Sequence, residues 1–183
     1  RRAKLIRAAA GDDATIMVDA NQQWPLSKAL VVIDKLREMN PYWVEEPTDP
    51  DDVLAHQTLA RAFHPIRIAL GEHVSNKVLF KNFLQANAME INQVDALRVG
   101  GISEFILISL MSRKCGVPVI PHVGDMGQIH QHMVLFNHIS VGHPKMFLEC
   151  IPHLRKYFKD PATIEGGVYL VPQTPGSSSD FNN

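Results

Sequence analysis

Six ionisable residues recur along this chain at a nearly constant interval, and each one closes a short apolar run. Successive members of the set are separated by 26, 27, 23, 27 and 27 residues. An interval of this length holds one strand, one helix and their connecting loops. Side chains of these types bind metal ions and transfer protons, so we expect the chemistry of the protein at the ends of the predicted strands. The six are Asp19, Glu45, Glu72, Asp95, His122 and Glu149.

The first three members of the set are carboxylates on consecutive predicted strands. Asp19, Glu45 and Glu72 would repel each other strongly at one point unless a cation lay between them. Ligand sets made only of oxygen favour a hard divalent ion such as Mg²⁺. The sequence therefore predicts a magnesium site. Zinc is disfavoured, because His130 and His132 are two residues apart and point to divergent faces of a helix, where a structural role is expected.

Asp95 and His122 close the next two predicted strands. A carboxylate beside an imidazole fixes its tautomer and raises its basicity, which is a common arrangement for a general acid/base. An isolated pair of this kind is more often a surface histidine near an unrelated aspartate. Asp95 and His122 are predicted to lie at the same strand ends as the metal ligands, and this favours the acid/base interpretation.

The elements that carry these residues alternate between strand-like and helix-like segments, which predicts an α/β fold with a parallel sheet. A doubly wound open sheet and a closed (β/α) barrel both fit that alternation. Strand ends converge on one mouth in a barrel but lie along a line in an open sheet. All six residues close their predicted strands in the same way, which favours the barrel. Helix capping stays an alternative for any single acid. The predicted strands are 15–19, 42–47, 66–72, 89–95, 117–122 and 145–150, with a further short strand at 167–172.

Composition narrows the class of protein further. The 183 residues carry a formal net charge of -1, which argues against a partner such as nucleic acid or an acidic membrane. No apolar run approaches the ~18 residues that span a bilayer. The two cysteines, Cys115 and Cys150, exclude a disulfide framework and favour a reducing compartment, so we expect the cytoplasm.

Five motifs together resemble the enolase superfamily, in its mandelate-racemase-like branch of acid-sugar dehydratases. Within that branch, PTDPDD, GEH and the C-terminal GVYLVPQTPG are most similar to the L-fuconate dehydratases. The resemblance runs over nearly the whole chain, and the ordered set of motifs is specific, although each motif alone is weak. The five are VDANQQW (18–24), WVEEPTDPDD (43–52), GEH (71–73), VDALRVGG (94–101) and IPHVG (120–124).

The resemblance assigns roles to matching positions. It implies that Asp19, Glu45 and Glu72 are the Mg²⁺ ligands and that Asp95 and His122 form the acid/base dyad.

Two further roles follow from the same resemblance. Glu149 matches an acidic position at the last barrel strand that faces the enediolate as it forms. Asn21 matches a position that supports the metal ligands or contacts a substrate hydroxyl, whereas Glu46 is interpreted as a structural ion-pair partner.

The implied reaction is Mg²⁺-dependent loss of water from a small sugar acid such as L-fuconate, through an enediolate, to give a 2-keto-3-deoxy acid. A racemase or epimerase of the same superfamily would use the same metal and dyad. A homo-oligomer is expected for the full-length protein.

The resemblance also implies a longer parent protein. The family fold is a (β/α)7β barrel with a capping domain, and one catalytic lysine comes from a Lys-x-Lys pair on the second barrel strand. Lys4 lies in a helical stretch instead. We therefore expect residues 1–154 to be a partial barrel, from its third strand to its last, and 155–183 to be a C-terminal segment. The capping domain would be absent, and this chain alone would be a catalytically incomplete fragment.

Overall fold

The computed structural model describes residues 2–145 and 147–183. These residues form two compact units. The first contains the chain up to Leu70 together with Val78–Ile91, and the second contains Gly71–Lys77 together with Asn92–Asn183. Residues 155–183, predicted as a separate segment, belong to the second unit.

Short strands and longer helices alternate, as the sequence predicts. The strands are β1 (Met17–Asp19), β2 (Trp43–Glu45), β3 (Arg67–Leu70), β4 (Ile91–Asn92), β5 (Ile164–Glu165) and β6 (Val168–Tyr169). The helices are α1 (Arg2–Ala10), α2 (Leu26–Leu36), α3 (Val53–Phe63), α4 (Lys77–Gln85), α5 (Ile102–Lys114) and α6 (Ile129–Phe136). Short 3-10 turns lie at Arg37–Met39 and Pro152–Tyr157, and a π-helical turn at Asn137–Val141 follows α6.

The sheet of the first unit is built from parallel neighbours. Strands β1 to β4 lie in chain order, β1 pairs parallel with β2, and β2 pairs parallel with β3. All three residues of β2 are buried, which is usual for a parallel strand with both faces covered. The parallel order places the carboxyl ends of β1 and β2 at the same edge.

Helical periodicity explains the packing of the first unit. Ala55, Leu59 and Phe63 recur every four residues along α3, and all three are buried. Ala29 and Ile33 repeat the same spacing on α2, which contacts α3. The buried faces of the helices therefore form the core of this unit.

The second unit contains α5, α6 and the loops that carry most of the predicted site. The strand predicted at 117–122 is reduced to one parallel bridge between Val119 and Asn92. Residues 145 and 147–150 form no regular strand, and Met146 lies outside the described residues. The run predicted at 167–172 forms β6, which pairs antiparallel with β5. In the described ranges, no helix combines the length and the apolar character that a membrane span requires.

His56 gives the first unit a predicted pH dependence. Its ring is fully buried against the edge of Phe83, and its Nδ1 lies 2.9 Å from the carbonyl oxygen of Asp52. Burial lowers the pKa of His56, although the Asp52 carbonyl and nearby acidic charges oppose the shift. The ring therefore stays neutral in the folded chain at a pH where it is already protonated in the unfolded chain.

We predict that the free energy of unfolding falls as pH drops below about 6.5, the ordinary pKa of histidine. The unfolded state gains a proton there and the folded state does not, so the loss is at most about 1.4 kcal/mol per pH unit. Urea unfolding across this range measures it. His56→Phe should flatten the slope, and the exposed control His153→Gln should not. Equal slopes in the wild type and His56→Phe would contradict the prediction.

Candidate active site

The first unit aligns two of the predicted metal ligands. Asp19 ends β1 and Glu45 ends β2, and the two are direct partners in the parallel register. Their side chains therefore leave neighbouring strands at the same edge. Glu45 is buried, whereas Asp19 is exposed.

Neutral donors fix the direction of both carboxylates. The backbone N–H of Asn21 donates to Oδ1 of Asp19 at 2.7 Å, and its side-chain amide donates to Oδ2. The indole N–H of Trp43 donates to Oε2 of Glu45 at 3.1 Å. Asn21 thus orients a predicted ligand. Glu46, predicted to form an ion pair, accepts a hydrogen bond from the side-chain amide of Gln22 at 2.8 Å.

Glu72, the third predicted metal ligand, belongs to the second unit. The preceding residue is Gly71, where a Cβ atom would lie 2.4 Å from the carbonyl carbon of Gln93. Only glycine can occupy this position, because the obstructing atoms are backbone. The close approach sets where Glu72 leaves the chain. A single metal site built from Asp19, Glu45 and Glu72 stays a prediction.

The His122 imidazole lies between two carboxylates. Its Nδ1 is 3.0 Å from Oδ2 of Asp95, and its Nε2 is 3.0 Å from Oε2 of Glu72. All three side chains are buried. Burial alone lowers the pKa of His122, but the hydrogen bond to Asp95 and the charges of Glu72 and Glu149 outweigh it and raise the pKa above the ordinary value. The ring can hold a proton on each nitrogen.

The surroundings of Asp95 stabilise its ionised form. The backbone N–H of Leu97 donates to its Oδ1 at 2.7 Å, and Arg98 Nε lies 3.6 Å from its Oδ2. Burial raises the pKa of a carboxyl group, but the hydrogen bond from His122, the His130 ring beside Oδ1 and the hydrogen bond from Leu97 hold the pKa of Asp95 well below its usual range. A permanently charged Asp95 keeps His122 in one orientation.

Glu149 lies beside the same imidazole, at a longer distance. Its Oε2 is 3.8 Å from His122 Nε2 and accepts a hydrogen bond from the N–H of Val123 at 3.2 Å. The main-chain oxygen of Glu149 accepts from the N–H of Gly124 and from the hydroxyl of Tyr169. These contacts hold Glu149 without a regular strand. Its catalytic role stays a prediction.

Arg98 and His73 lie beside Glu72 in the same cluster. Oε1 of Glu72 is 3.3 Å from Arg98 Nη1 and 3.2 Å from His73 Nδ1. Arg98 follows Asp95 by three positions, which is only a weak signal in the sequence. Nothing in the strand-end spacing singles out His73, which directly follows Glu72. The positive charge of Arg98 reduces the repulsion among the carboxylates.

Residues 1–183 match the family described as enolase C-terminal domain-like. The chain belongs to this family. Its predicted fold class, the enolase-type α/β barrel domain, is thereby confirmed, as is the resemblance to the enolase superfamily.

Three relatives illustrate the similarity. The human mitochondrial enolase superfamily member 1 is 40% identical over 187 residues, and its crystal structure superposes with a TM-score of 0.89 at 37% identity. L-galactonate dehydratase from Hypocrea jecorina is 37% identical over 187 residues. Each match covers 99% of this chain and 42% of the relative.

A third relative carries ligands. The crystal structure of L-talarate dehydratase from Polaromonas sp. JS666, complexed with Mg and L-glucarate, has a TM-score of 0.82 and 30% identity. The match covers 99% of this chain and 48% of that one. The chain thus spans less than half the length of these relatives. The narrower similarity to L-fuconate dehydratases stays a prediction.

The contacts of Asp95 predict the stability of an amide variant. Asp95→Asn should lower the free energy of unfolding at neutral pH by about 1.5–3 kcal/mol, because a buried charge-assisted hydrogen bond to His122 is lost. Chemical unfolding measures the difference. The control Asp34→Asn alters an exposed aspartate and should change stability by less than about 0.5 kcal/mol. Equal losses of stability in Asp95→Asn and Asp34→Asn would show that the charge of Asp95 does not stabilise the fold.

Proposed function

We propose that this chain is part of a Mg²⁺-dependent dehydratase of sugar acids. The observation that carries the proposal is the buried His122 ring, held 3.0 Å from Asp95 on one side and 3.0 Å from Glu72 on the other. An imidazole fixed at one nitrogen by an ionised aspartate can exchange a proton at its other nitrogen.

The donor set fits a magnesium ion. Asp19, Glu45 and Glu72 offer only carboxylate oxygens, the ligands that Mg²⁺ prefers. Asp19 and Glu45 are aligned at the ends of adjacent parallel strands, and hydrogen bonds from neutral groups fix their directions. When bound, Mg²⁺ would supply positive charge beside a substrate carboxylate and so acidify the neighbouring C–H.

The remaining chemistry belongs to side chains of the second unit. Dehydration removes a proton from the carbon next to the carboxylate and expels the hydroxyl of the following carbon, which leaves with a proton as water. The enol product then tautomerises to a 2-keto-3-deoxy acid. His122 transfers a proton at Nε2, and Asp95 holds Nδ1. Glu149 lies 3.8 Å from Nε2 and contributes negative charge to the same place.

The substrate class follows from the motifs and from the relatives. The relatives include L-galactonate and L-talarate/galactarate dehydratases, which are named for sugar acids. The motifs PTDPDD and GEH favour L-fuconate as the first substrate to test. L-galactonate is the second, because the dehydratase of that name matches 99% of this chain.

A panel of metal-ligand variants tests the magnesium site. We predict that Asp19→Asn, Glu45→Gln and Glu72→Gln each weaken Mg²⁺ binding at least ~10-fold, because each removes one charged ligand. Calorimetric titration, or the shift of thermal unfolding with Mg²⁺ concentration, measures the affinity. Glu38→Gln changes an exposed glutamate paired with Lys4 and serves as the control. Unchanged affinity in Glu45→Gln and Glu72→Gln would reject this ligand set.

An activity assay tests the reaction. The 183-residue chain and the longest reading frame that contains it are incubated with Mg²⁺ and either L-fuconate or L-galactonate, and the 2-keto-3-deoxy product is measured. We predict turnover by the longer protein alone, and a ~10²–10⁴-fold lower kcat in its His122→Asn variant.

Two results would contradict the proposed function, and two more would contradict the roles assigned within it. The longer protein could fail to act on any sugar acid, or it could return an epimer, which would indicate a racemase. His122→Asn could abolish Mg²⁺ binding together with activity, which would place His122 among the metal ligands. Turnover by the 183-residue chain alone would show that no lysine from an earlier strand is needed.

A further inference from the structure

His130 is a buried histidine of α6 that the mechanism above does not use. Its side chain is fully excluded from solvent, and both of its ring nitrogens are hydrogen-bonded. The partners are main-chain atoms of two separate loops. An unpaired nitrogen in a buried imidazole costs free energy, so these two hydrogen bonds stabilise the ring in its place between the loops.

The two partners directly follow the two members of the dyad. The backbone N–H of Ala96 donates to Nε2 of His130 at 2.8 Å, and Ala96 is the residue after Asp95. Nδ1 of His130 lies 2.7 Å from the carbonyl oxygen of Val123, the residue after His122. One ring thus ties together the two loops that present the acid/base pair.

These partners assign the tautomer of the ring. An amide N–H can only donate, so Nε2 of His130 accepts, and a carbonyl oxygen can only accept, so Nδ1 carries the proton. Nε2 also lies 3.2 Å from Oδ1 of Asp95. Oδ1 also accepts a hydrogen bond from the N–H of Leu97. A neutral His130 therefore bonds to both loops, while the other oxygen of Asp95, Oδ2, stays bonded to His122.

The surroundings hold the ring in this position. The Phe105 ring stacks on it, with centroids 6.1 Å apart and planes at 28°. Gly127 lies against its edge, where a Cβ atom would be 2.9 Å from Nδ1. The hydrogen bond also restrains Val123, whose φ of +38° is strained for a β-branched residue.

We propose that His130 is a positioning residue that sets the distance between Asp95 and His122. This inference rests on the proposed function, because it concerns the pair assigned to proton transfer. His130 acts through the main chain of Ala96 and Val123 and does not touch the substrate. Without the His130 ring, the two loops lose the hydrogen bonds that link them, and the hydrogen bond from His122 Nδ1 to Asp95 lengthens.

Nuclear magnetic resonance of the 183-residue chain, labelled with ¹⁵N in its histidine rings, tests this proposal directly. The readout is the Nδ1–H proton of His122 that is bonded to Asp95, assigned by its disappearance in His122→Asn. In His130→Phe, which keeps ring volume and the stack on Phe105, we expect its exchange with solvent to rise at least ~10-fold.

Three further variants separate positioning from packing. His130→Gln restores one donor and one acceptor, and it should return the exchange rate towards the wild-type value. Gly127→Ala pushes on the intact ring and should raise the rate, so the proposal stays testable if His130→Phe does not fold. His132→Phe alters a histidine two residues away on the same helix and should leave the rate unchanged.

The outcomes are distinguishable from those of the activity assay. If His130→Phe and Gly127→Ala both leave the exchange rate within about twofold of wild type, the positioning role is wrong even when thermal stability falls. If the rate responds as expected but the longer protein dehydrates no sugar acid, the positioning role stands and the proposed function fails. In an active longer protein, His130→Phe should lower kcat ~10²-fold with little change in KM.

Discussion

The second unit depends on one interaction, the buried contact between His122 and the carboxylates of Asp95 and Glu72. Charged groups are costly to remove from water unless each has a partner. Here the partners come from loops far apart in sequence, so the contact forms only when the chain is correctly folded. Arg98 adds positive charge beside the other oxygen of Glu72. The same pairing that makes burial tolerable also gives each ring nitrogen of His122 a carboxylate partner.

The first unit positions its two predicted metal ligands through strand pairing. Parallel pairing brings Asp19 and Glu45 to one edge because each carboxylate ends its strand at the same register. A shift of one residue would turn a side chain to the opposite face of the sheet. Hydrogen bonds from Asn21 and Trp43 then fix the direction of the carboxylate oxygens. Strand register thus sets where the two carboxylates lie, and the local donors set the direction of their oxygens.

Spacing along the sequence predicted the strand ends at Asp19 and Glu45, because one βα unit has a nearly constant length. Glu72 and Asp95 lie instead in the loops that follow β3 and β4. Spacing could not predict His130 as a partner of the dyad loops, since that contact bridges 34 residues and depends on how α6 packs. The predicted strand at 145–150 is wrong for its described residues, which lie between Pro144 and Pro152. Proline lacks the N–H that a central strand needs, and here loop contacts position Glu149 instead. Sequence patterns therefore predicted a set of site residues but not the contacts that hold them in place.

Gly71 has a consequence for how tolerance to mutation is interpreted in this chain. Any side chain at this position collides with the backbone of Gln93, so its replacement requires the main chain to move. A saturation-mutagenesis survey scored only by fitness would rank Gly71 among the least replaceable positions, next to residues that perform chemistry. Its intolerance has a steric cause, and a folding assay run in parallel would separate the two groups. Fitness loss accompanied by loss of soluble protein identifies a position like Gly71, whereas fitness loss with normal solubility identifies a residue that acts on substrate.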